Sequence, residues 1–308
     1  MIVPARDAEA TIGRTLECLC GQVAPFEYEV LVVDDGSRDR TPDIAAAAVG
    51  PVRLLRQDPA GPAAARNRGC AVAHGAALAF CDADCFPEPG WLASGIRALE
   101  RADLVQGWVA PDPGAVVGPF DRSLWIDHEV GLWETANLFV SRELFDRVGG
   151  FEDWLRPVAG KPLAEDVWFG WRAKRAGARS AFCAEAVAYH AVFPRGARDY
   201  VAERRRVRHF PEMVARMPEL RRAFLYRRVF LSRRSAALDA ALLGAAAGLA
   251  LRRAWPLLAV VPYASLLRAR ARPYGRASAG VAAVEVAADL VGAWSLARGS
   301  LRTRRPVL

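Results

Sequence analysis

The chain has 308 residues, and its 42 Lys and Arg outnumber its 34 Asp and Glu to give a formal net charge of +8. The excess lies at the C-terminal end. Residues 1–198 carry 21 basic and 27 acidic side chains, net −6, whereas residues 199–308 carry 21 and 7, net +14. No recognised nucleic-acid motif accompanies these arginines, whereas apolar segments do. The composition therefore favours an anionic membrane surface over nucleic acid as a partner.

Strand and helix patterns alternate through the first hundred residues and recur further along. The predicted elements are, in chain order, strand Ile2–Val3, helix Ala10–Cys20, strand Tyr28–Val33, helix Thr41–Val49, strand Val52–Leu55, helix Pro62–His74, strand Ala76–Cys81, helix Trp91–Ala102, strand Leu104–Val109, helix Ala164–Ala176 and strand Ala186–His190. Such alternation predicts an α/β fold with a mostly parallel sheet and covering helices.

Two carboxylates, Asp82 and Asp84, close the apolar run that forms the predicted strand Ala76–Cys81. Side chains two residues apart on extended backbone point the same way, so both acids can face one ligand at the carboxyl edge of the sheet. Hard oxygen ligands in this arrangement suit Mg²⁺ or Mn²⁺, which bind substrate phosphates with few protein carboxylates. The alternative is a surface turn, in which Asp is common.

A second acid pair, Asp34 and Asp35, follows the apolar strand Tyr28–Val33. Because ligands of open α/β sheets bind outside the carboxyl ends of the strands, the two acid pairs are expected to meet at one nucleotide site. Between them, Pro62 opens a helix whose N-terminus, together with Arg66, can meet a diphosphate.

These motifs, in this order, resemble the nucleotide-binding motifs of family-2 glycosyltransferases of the GT-A fold. The matching segments are Pro4-Ala5-Arg6-Asp7, Val33 to Thr41, Gly61 to Gly69 and Asp82-Ala83-Asp84. Two later segments are also similar: Asn137–Val140 with Phe145–Phe151 resembles the acceptor-side segment, and Ala164–Phe169 the Glu-Asp catalytic motif. The resemblance covers roughly residues 1 to 195 and implies transfer from a nucleotide sugar with inversion.

The resemblance also implies roles for individual residues. Pro4, Ala5 and Arg6 would line the base pocket, and Asp35, with Asp34 beside it, would accept a hydrogen bond from a uracil N–H. Asp84 and His190 would hold a divalent metal, Mn²⁺ or Mg²⁺, while Asp82 would face the ribose or a metal-bound water. Asp166 would be the general base, with Glu165 beside it. Without the resemblance, the two acids of the Glu-Asp motif would equally fit complementation of a helix dipole, and the histidine a packed core residue.

The resemblance and the charge division together predict two domains. We expect a GT-A catalytic domain over residues 1–198, with a nucleotide-binding half at 1–102 and an acceptor and catalytic half at 103–198, followed by a basic helical region at 199–308. Members of the family usually carry residues before the Pro-Ala-Arg motif, so we expect either a short first strand or a start that lies late in the strand.

Three apolar segments in the C-terminal region suggest membrane contact. Ala236–Leu251 and Ala254–Leu267 are shorter than the ~20 residues that span a bilayer, and Ala279–Ala297 contains two acids. We expect helices that lie in the cytoplasmic leaflet of the cell membrane, with one or two spans or a self-packing soluble tail as alternatives. Arg205 and Arg208 can contact a diphosphate or an anionic lipid, or form a solvated basic face.

The predicted activity is metal-dependent transfer of one sugar from a nucleotide sugar, with UDP as the expected nucleotide, to a hydroxyl acceptor on a lipid, glycan or small molecule. The Gln-x-x-Arg-Trp motif of processive family members is absent from the sequence, which favours single transfer. The alternatives are a polyprenyl-phosphate glycosyltransferase, whose acceptor needs no strong base, a catalytically silent nucleotide-sugar-binding scaffold and, more remotely, a nucleotidyltransferase. The six cysteines are expected to be reduced, and no Cys or His set of zinc-site spacing accompanies them.

Overall fold

A computed structural model describes residues 1–155 and 163–308. The chain divides into two compact units. The first contains Met1–Val116 and Ser123–Val192, and the second contains Val117–Arg122 and Phe193–Leu308.

The first unit is built on a single mixed sheet. Its strands in the described residues are β1 Ile2–Ala5, β2 Val30–Asp34, β3 Val52–Arg56, β4 Ala77–Cys81, β5 Cys85–Pro87, β6 Leu104–Pro111, β7 Asn137–Ser141 and β8 Ser180–His190. They are ordered β3-β2-β1-β4-β7-β6-β8-β5. The first four strands in this order are parallel, β7 is antiparallel to both of its neighbours, β6 and β8 are parallel, and β5 runs antiparallel to β8. The predicted α/β fold is confirmed.

Helices cover both faces of this sheet. They are α1 Ile12–Cys20, α2 Thr41–Ala46, α3 Pro62–Val72, α4 Trp91–Leu99, α5 Arg142–Val148 and α6 Glu165–Arg175. Alternate strand residues enter opposite cores: Val30 and Val32 of β2 pack in the cluster that includes α1 and α4, whereas Leu31 packs in the cluster that includes α5 and α6. This alternation is what a strand buried on both faces requires.

The observed elements follow the predicted order, with differences mainly at their ends. Predicted helix Ala10–Cys20 begins two residues later, and predicted strand Ala186–His190 is the end of the longer strand β8. The sequence patterns did not predict β7 and α5, which lie between the predicted strand Leu104–Val109 and the predicted helix Ala164–Ala176. They also did not predict β5, which has only three residues. So short a strand has no periodicity of its own and exists because β8 offers it an edge: Cys85 pairs with His190 and Phe86 with Tyr189.

The second unit is helical in its described residues. Its helices are α7 Ala197–Glu203, α8 Phe210–Arg216, α9 Leu220–Ala223, α10 Arg233–Leu251, α11 Val260–Ala271 and α12 Ser278–Thr303, with a 3₁₀ turn at Arg204–His209 between α7 and α8. Gly275 has a φ of 53° and a ψ of −118°, so the chain turns sharply between α11 and α12.

A buried ionic cluster holds the helices of the second unit together. Glu285 of α12 has no exposed surface, and its carboxylate lies 2.9 Å from Arg234 Nη1 and 3.0 Å from Arg270 Nε. The hydroxyl of Tyr200 donates a third contact, at 2.9 Å. One turn along α12, Asp289 lies 2.6 Å from Arg234 Nη2. The two acids that interrupt the third apolar segment are therefore fully paired inside the protein.

Two helical stretches of the described chain are long and apolar enough to cross a bilayer. They are Arg233–Leu251 and Trp255–Thr303, and only 22% and 28% of their most apolar windows are buried within the protein. The second stretch includes the turn at Gly275 and the two paired acids of α12. Length and composition allow a span, but the break and the paired charges make these helices unlike simple membrane-crossing segments.

Candidate active site

The carboxyl ends of the central parallel strands bring the sequence motifs together. Ala5 of β1 is in register with Asp34 of β2, and both residues are buried. Pro4 is half-buried, and Arg6 directs a side chain that is 46% exposed toward the Asp35 carboxylate, with Nη1 3.6 Å from Oδ2. These residues therefore lie on one edge of the sheet, as the motif order predicts.

Asp35 anchors the loop that leads into α3. Its carboxylate accepts hydrogen bonds from Gln57 Nε2 at 2.7 Å, the Ala60 N–H at 2.7 Å and the Gly61 N–H at 2.9 Å. Gly61 has a φ of 97°, which favours glycine there. Much of the capacity of this carboxylate to accept hydrogen bonds is used within the chain. These hydrogen bonds fix the loop beside the proposed base pocket.

Asp34 is almost completely buried and organises the turn after β2. Its Oδ1 accepts from the Ser37 N–H at 3.2 Å, and its Oδ2 lies 3.5 Å from Arg56 Nε. The predicted pair of acids is thus split in its contacts, because Asp34 supports the local turn and Asp35 supports the following loop.

Arg66 of α3 connects the two later acid motifs. Its side chain is only 7% exposed, with Nη2 3.2 Å from Asp82 Oδ1 and Nη1 3.0 Å from Glu165 Oε1. The sequence interpretation placed this guanidinium on a diphosphate. In the structure it lies between carboxylates that are 83 positions apart in the chain, and its charge is already engaged by both.

Asp166 is the second residue of α6, directly after Glu165. Burial raises the pKa of the Asp166 carboxyl well above its ordinary value, the negative charges of Glu165 and Glu134 raise it further, and Arg66 opposes the shift. Its Oδ1 accepts from the Val167 N–H at 2.8 Å. A carboxyl group with a raised pKa is a stronger base once ionised than an ordinary aspartate.

The backbone immediately before the Glu-Asp motif is unusual. Ala164 has a left-handed φ of 61°, which non-glycine residues seldom adopt, and it caps the N-terminus of α6 without a side-chain hydrogen bond. Its carbonyl accepts from Trp154 Nε1 at 3.0 Å. The strained backbone of Ala164 sets the direction in which α6 begins, and with it the positions of Glu165 and Asp166.

A second cluster forms where the residues that follow β4 meet the end of β8. One atom from each of Asp84, Cys85 and His190 lies within 4.8 Å of the others. His190 Nδ1 lies 2.6 Å from the Ala191 carbonyl oxygen, which can only accept, so this nitrogen donates. The neutral ring then carries its lone pair on Nε2, which is 3.6 Å from Asp84 Oδ2.

This arrangement fits a divalent metal. A metal-binding histidine commonly donates its other ring N–H to a carbonyl, which fixes the ring and leaves one nitrogen free to coordinate. Asp84 and His190 present one carboxylate oxygen and one imidazole nitrogen in this way, whereas Asp82 is directed to Arg66.

Two residues at the site were absent from the sequence prediction. Glu134 lies close enough to Asp166 to raise its pKa, and burial raises the pKa of Glu134 itself. Cys85 joins the cluster around Asp84, where sequence reasoning had considered it only for zinc. Glu134 follows no strand and matches no motif, so only the folded chain identifies it. For Cys85, the one sequence signal that pointed to the site was its position next to Asp84.

The sheet, the helices on both of its faces and the acid motifs at its carboxyl edge define a glycosyltransferase of the GT-A type. The family model for glycosyl transferase family 2 matches residues 1–151. The chain is 32% identical to glycosyltransferase AglE of Haloferax volcanii over 211 residues, which cover 64% of this chain and 67% of AglE. The chain belongs to glycosyl transferase family 2.

Solved structures show the same fold. A mannosyltransferase of Pyrobaculum calidifontis, PcManGT, in complex with GDP-Man and Mn²⁺, matches with a TM-score of 0.56 at 22% identity, covering 98% of this chain and 86% of PcManGT. S. aureus TarS 1-349 in complex with UDP-GlcNAc matches with a TM-score of 0.50 at 17% identity, covering 99% and 91%.

Proposed function

We propose that this protein transfers one glycosyl residue from a nucleoside-diphosphate sugar to a hydroxyl acceptor at a membrane surface, with inversion at the anomeric carbon. Membership of the family establishes glycosyl transfer, and the residues at the carboxyl edge of the sheet support the finer assignment. The observation that carries it is the contact of Arg66 with both Asp82 and Glu165, at 3.2 and 3.0 Å. This contact links Asp82 on the donor side to the Glu-Asp motif, which contains the proposed base.

In this proposal Asp166 removes the proton of the acceptor hydroxyl. Its raised pKa suits the task, because the ionised group holds a proton more strongly than an ordinary aspartate. Arg66 and Glu165 position this carboxylate rather than react with the sugar. A phosphate acceptor would need no strong base, so the same observation favours a hydroxyl over a polyprenyl phosphate.

The donor would bind along the edge formed by β1, β2 and β4. Pro4, Ala5 and Arg6 would line the base pocket, and the remaining acceptor capacity of Asp35 would be available to a base N–H. Asp84 and His190 would hold Mn²⁺ or Mg²⁺. When bound, such an ion supplies positive charge to the departing diphosphate. Asp82, held by Arg66, would face the ribose or a metal-bound water.

The nucleotide is proposed to be UDP. GDP remains the nearest competitor, because TarS was solved with UDP-GlcNAc and PcManGT with GDP-Man. The test incubates the purified full-length protein with a panel of UDP- and GDP-sugars and Mn²⁺, and measures released nucleoside diphosphate. We expect release from one donor class and none in excess chelator. Binding of donors with no hydrolysis or transfer to any acceptor would instead support the silent-scaffold reading.

The proposed place of action is the cytoplasmic face of the cell membrane. The helices α10 and α12 expose large apolar side chains, among them Leu243 at 72% and Trp294 at 73%. The region that contains them, residues 199–308, is strongly basic. Helices that lie in the interface bind through both features. We expect high salt or alkaline carbonate to extract the full-length protein from membranes. Resistance to both treatments would contradict interfacial binding and favour true spans.

A further inference from the structure

A cavity of about 440 Å³ lies in the helical unit, and none of its lining residues is assigned to catalysis. The 3₁₀ turn Arg204–His209 contributes Arg205 and Arg208 to its lining, and α12 contributes Arg298 together with Leu290 and Trp294. Among the described residues, no acidic side chain lines it. The cavity therefore combines three positive charges with an apolar wall.

The three guanidinium groups of the cavity are not neutralised by the protein. Within residues 1–155 and 163–308, none of the three forms an ion pair with a carboxylate. Other arginines of the same unit do form ion pairs: Arg195 with Glu203, Arg234 and Arg270 with Glu285, and Arg302 with Glu212. Arg205, Arg208 and Arg298 therefore keep positive charge at one cavity that an external anion can neutralise.

Backbone packing fixes the arginines of the turn relative to α12. Gly299 allows a very close approach, because a Cβ at this position would lie only 2.2 Å from the carbonyl oxygen of Arg208. The preceding helix α7 is attached to α12 through the hydrogen bond from the Tyr200 hydroxyl to the buried Glu285. The cavity walls are thus held by the core of the unit, which makes the charges a defined site rather than a flexible basic surface.

The apolar wall continues along one face of α12. Leu290, Trp294 and Arg298 are each four residues apart, so they lie on the same side of the helix. Leu290 and Trp294 are 44% and 73% exposed, and Leu301, on the same face three residues beyond Arg298, is 81% exposed. Large apolar side chains next to unpaired cations fit an amphiphile better than a fully soluble anion.

We infer that this cavity binds the phosphate headgroup of a single anionic membrane lipid, with the hydrocarbon chains of the lipid along Leu290 and Trp294. Guanidinium groups recognise phosphate oxygens, and a soluble phosphate would leave the apolar wall in contact with water. This inference rests on the proposed membrane association. It adds a specific site, whereas basic composition alone requires only a diffuse attraction to negative surfaces.

The test compares binding of the full-length protein to three kinds of phosphatidylcholine vesicle: without additive, with phosphatidic acid, and with phosphatidylserine adjusted to equal surface potential. Phosphatidic acid presents a phosphate monoester, which three arginines can surround. We expect wild type to bind the phosphatidic acid vesicles about tenfold more tightly than the phosphatidylserine vesicles. Equal affinity for the two would overturn the inference, because diffuse charge attraction would then suffice.

Two triple variants separate the site from net charge. The cavity variant carries Arg205→Gln, Arg208→Gln and Arg298→Gln, and the matched control carries Arg253→Gln, Arg276→Gln and Arg305→Gln, which removes the same charge from exposed positions of the same unit. The cavity variant should lose the preference for phosphatidic acid, whereas the control should keep it with weaker overall binding. A preference retained by the cavity variant, or lost equally in both, would refute the site.

Two further measurements identify the ligand and separate this inference from the proposed function. Trp294→Ala should weaken vesicle binding, and inorganic phosphate should compete poorly with vesicles; efficient competition would show a site for free phosphate and overturn a lipid ligand. Release of nucleoside diphosphate from the donor panel is measured on the same proteins without vesicles. If wild type prefers phosphatidic acid but hydrolyses no donor, the proposed function fails and the lipid site stands. If donors are hydrolysed without lipid preference, the lipid site fails alone.

Discussion

Two groups of carboxylates, one in each unit, differ in how their charge is compensated. At the sheet edge, Asp82 and Glu165 share the cation of Arg66, and Asp166 follows Glu165 with a raised pKa. In the helical unit, Glu285 has two arginines and a tyrosine hydroxyl. Burial raises the pKa of Glu285, but Arg234, Tyr200 and Arg270 together lower it by more than burial raises it. The net shift of the pKa is therefore downward.

The difference separates chemistry from structure. A carboxylate that its surroundings fully compensate stays ionised and contributes to packing, whereas a cluster with too few cations keeps one member ready to accept a proton. Acidic residues in apolar surroundings therefore have opposite meanings in the two units, although their sequence context looks alike. The following changes test this contrast, from the largest expected effect to the smallest.

The largest effect is expected at the proposed metal ligand. Asp84→Asn should abolish transfer and weaken binding of nucleoside diphosphate in Mn²⁺, because the amide replaces an anionic oxygen ligand with a neutral one. The melting temperature should change by no more than a few degrees. Turnover and calorimetric binding measure these effects, with the exposed Asp58→Asn in the same unit as the charge-matched control. Undiminished wild-type activity in excess chelator would exclude the proposed role of the ion.

Loss of the proposed base should lower the rate without lowering stability. Asp166→Asn is expected to lower turnover by ~10²–10⁴ with donor binding nearly intact, because proton removal occurs only in the transition state. Folding raises the pKa of Asp166, so the folded state loses stability as the pH rises from the ordinary pKa of an aspartate to the raised one. In alkaline buffer the melting temperature of Asp166→Asn should therefore equal or exceed that of wild type. Wild-type turnover, or a product that retains the donor configuration, would disprove the assignment.

The compensated cluster should respond in the opposite way. Glu285→Gln is expected to destabilise the protein by roughly 3 kcal/mol, because it removes the fully buried carboxylate that pairs with Arg234 and Arg270. Nucleoside diphosphate release by folded protein should be unchanged. Asp239→Asn in α10 is the control, since Asp239 Oδ2 has no hydrogen-bond partner among the described residues and burial raises its pKa. The free energy of unfolding in urea should be lower for Glu285→Gln than for Asp239→Asn. Equal free energies would show that Glu285 is not structurally important.

The pH dependence of transfer provides the most graded test. Because Asp166 must be ionised to act as a base, kcat/KM should rise about tenfold per pH unit below its pKa and level off above it. The raised pKa moves this limb to higher pH than an ordinary aspartate would give. Glu285 has a lowered pKa, so its contribution to stability should be lost only at acid pH as the pH falls through that value. A rate profile with no acidic limb would contradict the base assignment.

Much of the first unit could be predicted from local pattern. The strand that ends at Asp34, the helix that begins at Pro62 and the acids after Cys81 all follow from apolar runs, a helix-starting proline and the two-residue period of a strand. These signals act over a few residues and need no knowledge of the fold. The position of His190 at the end of a strand was predicted in the same way.

The sequence by itself determined the order of the motifs, the α/β class and the division of charge between the two ends of the chain. Only the tertiary structure decided which charges meet. Arg66 reaches Asp82 and Glu165, the short strand β5 aligns Cys85 with His190, and Glu134 comes close to Asp166. Periodicity describes which side of an element a residue occupies, whereas these contacts depend on packing between distant segments. Whether a buried acid is neutralised or left reactive is therefore a property of the folded chain.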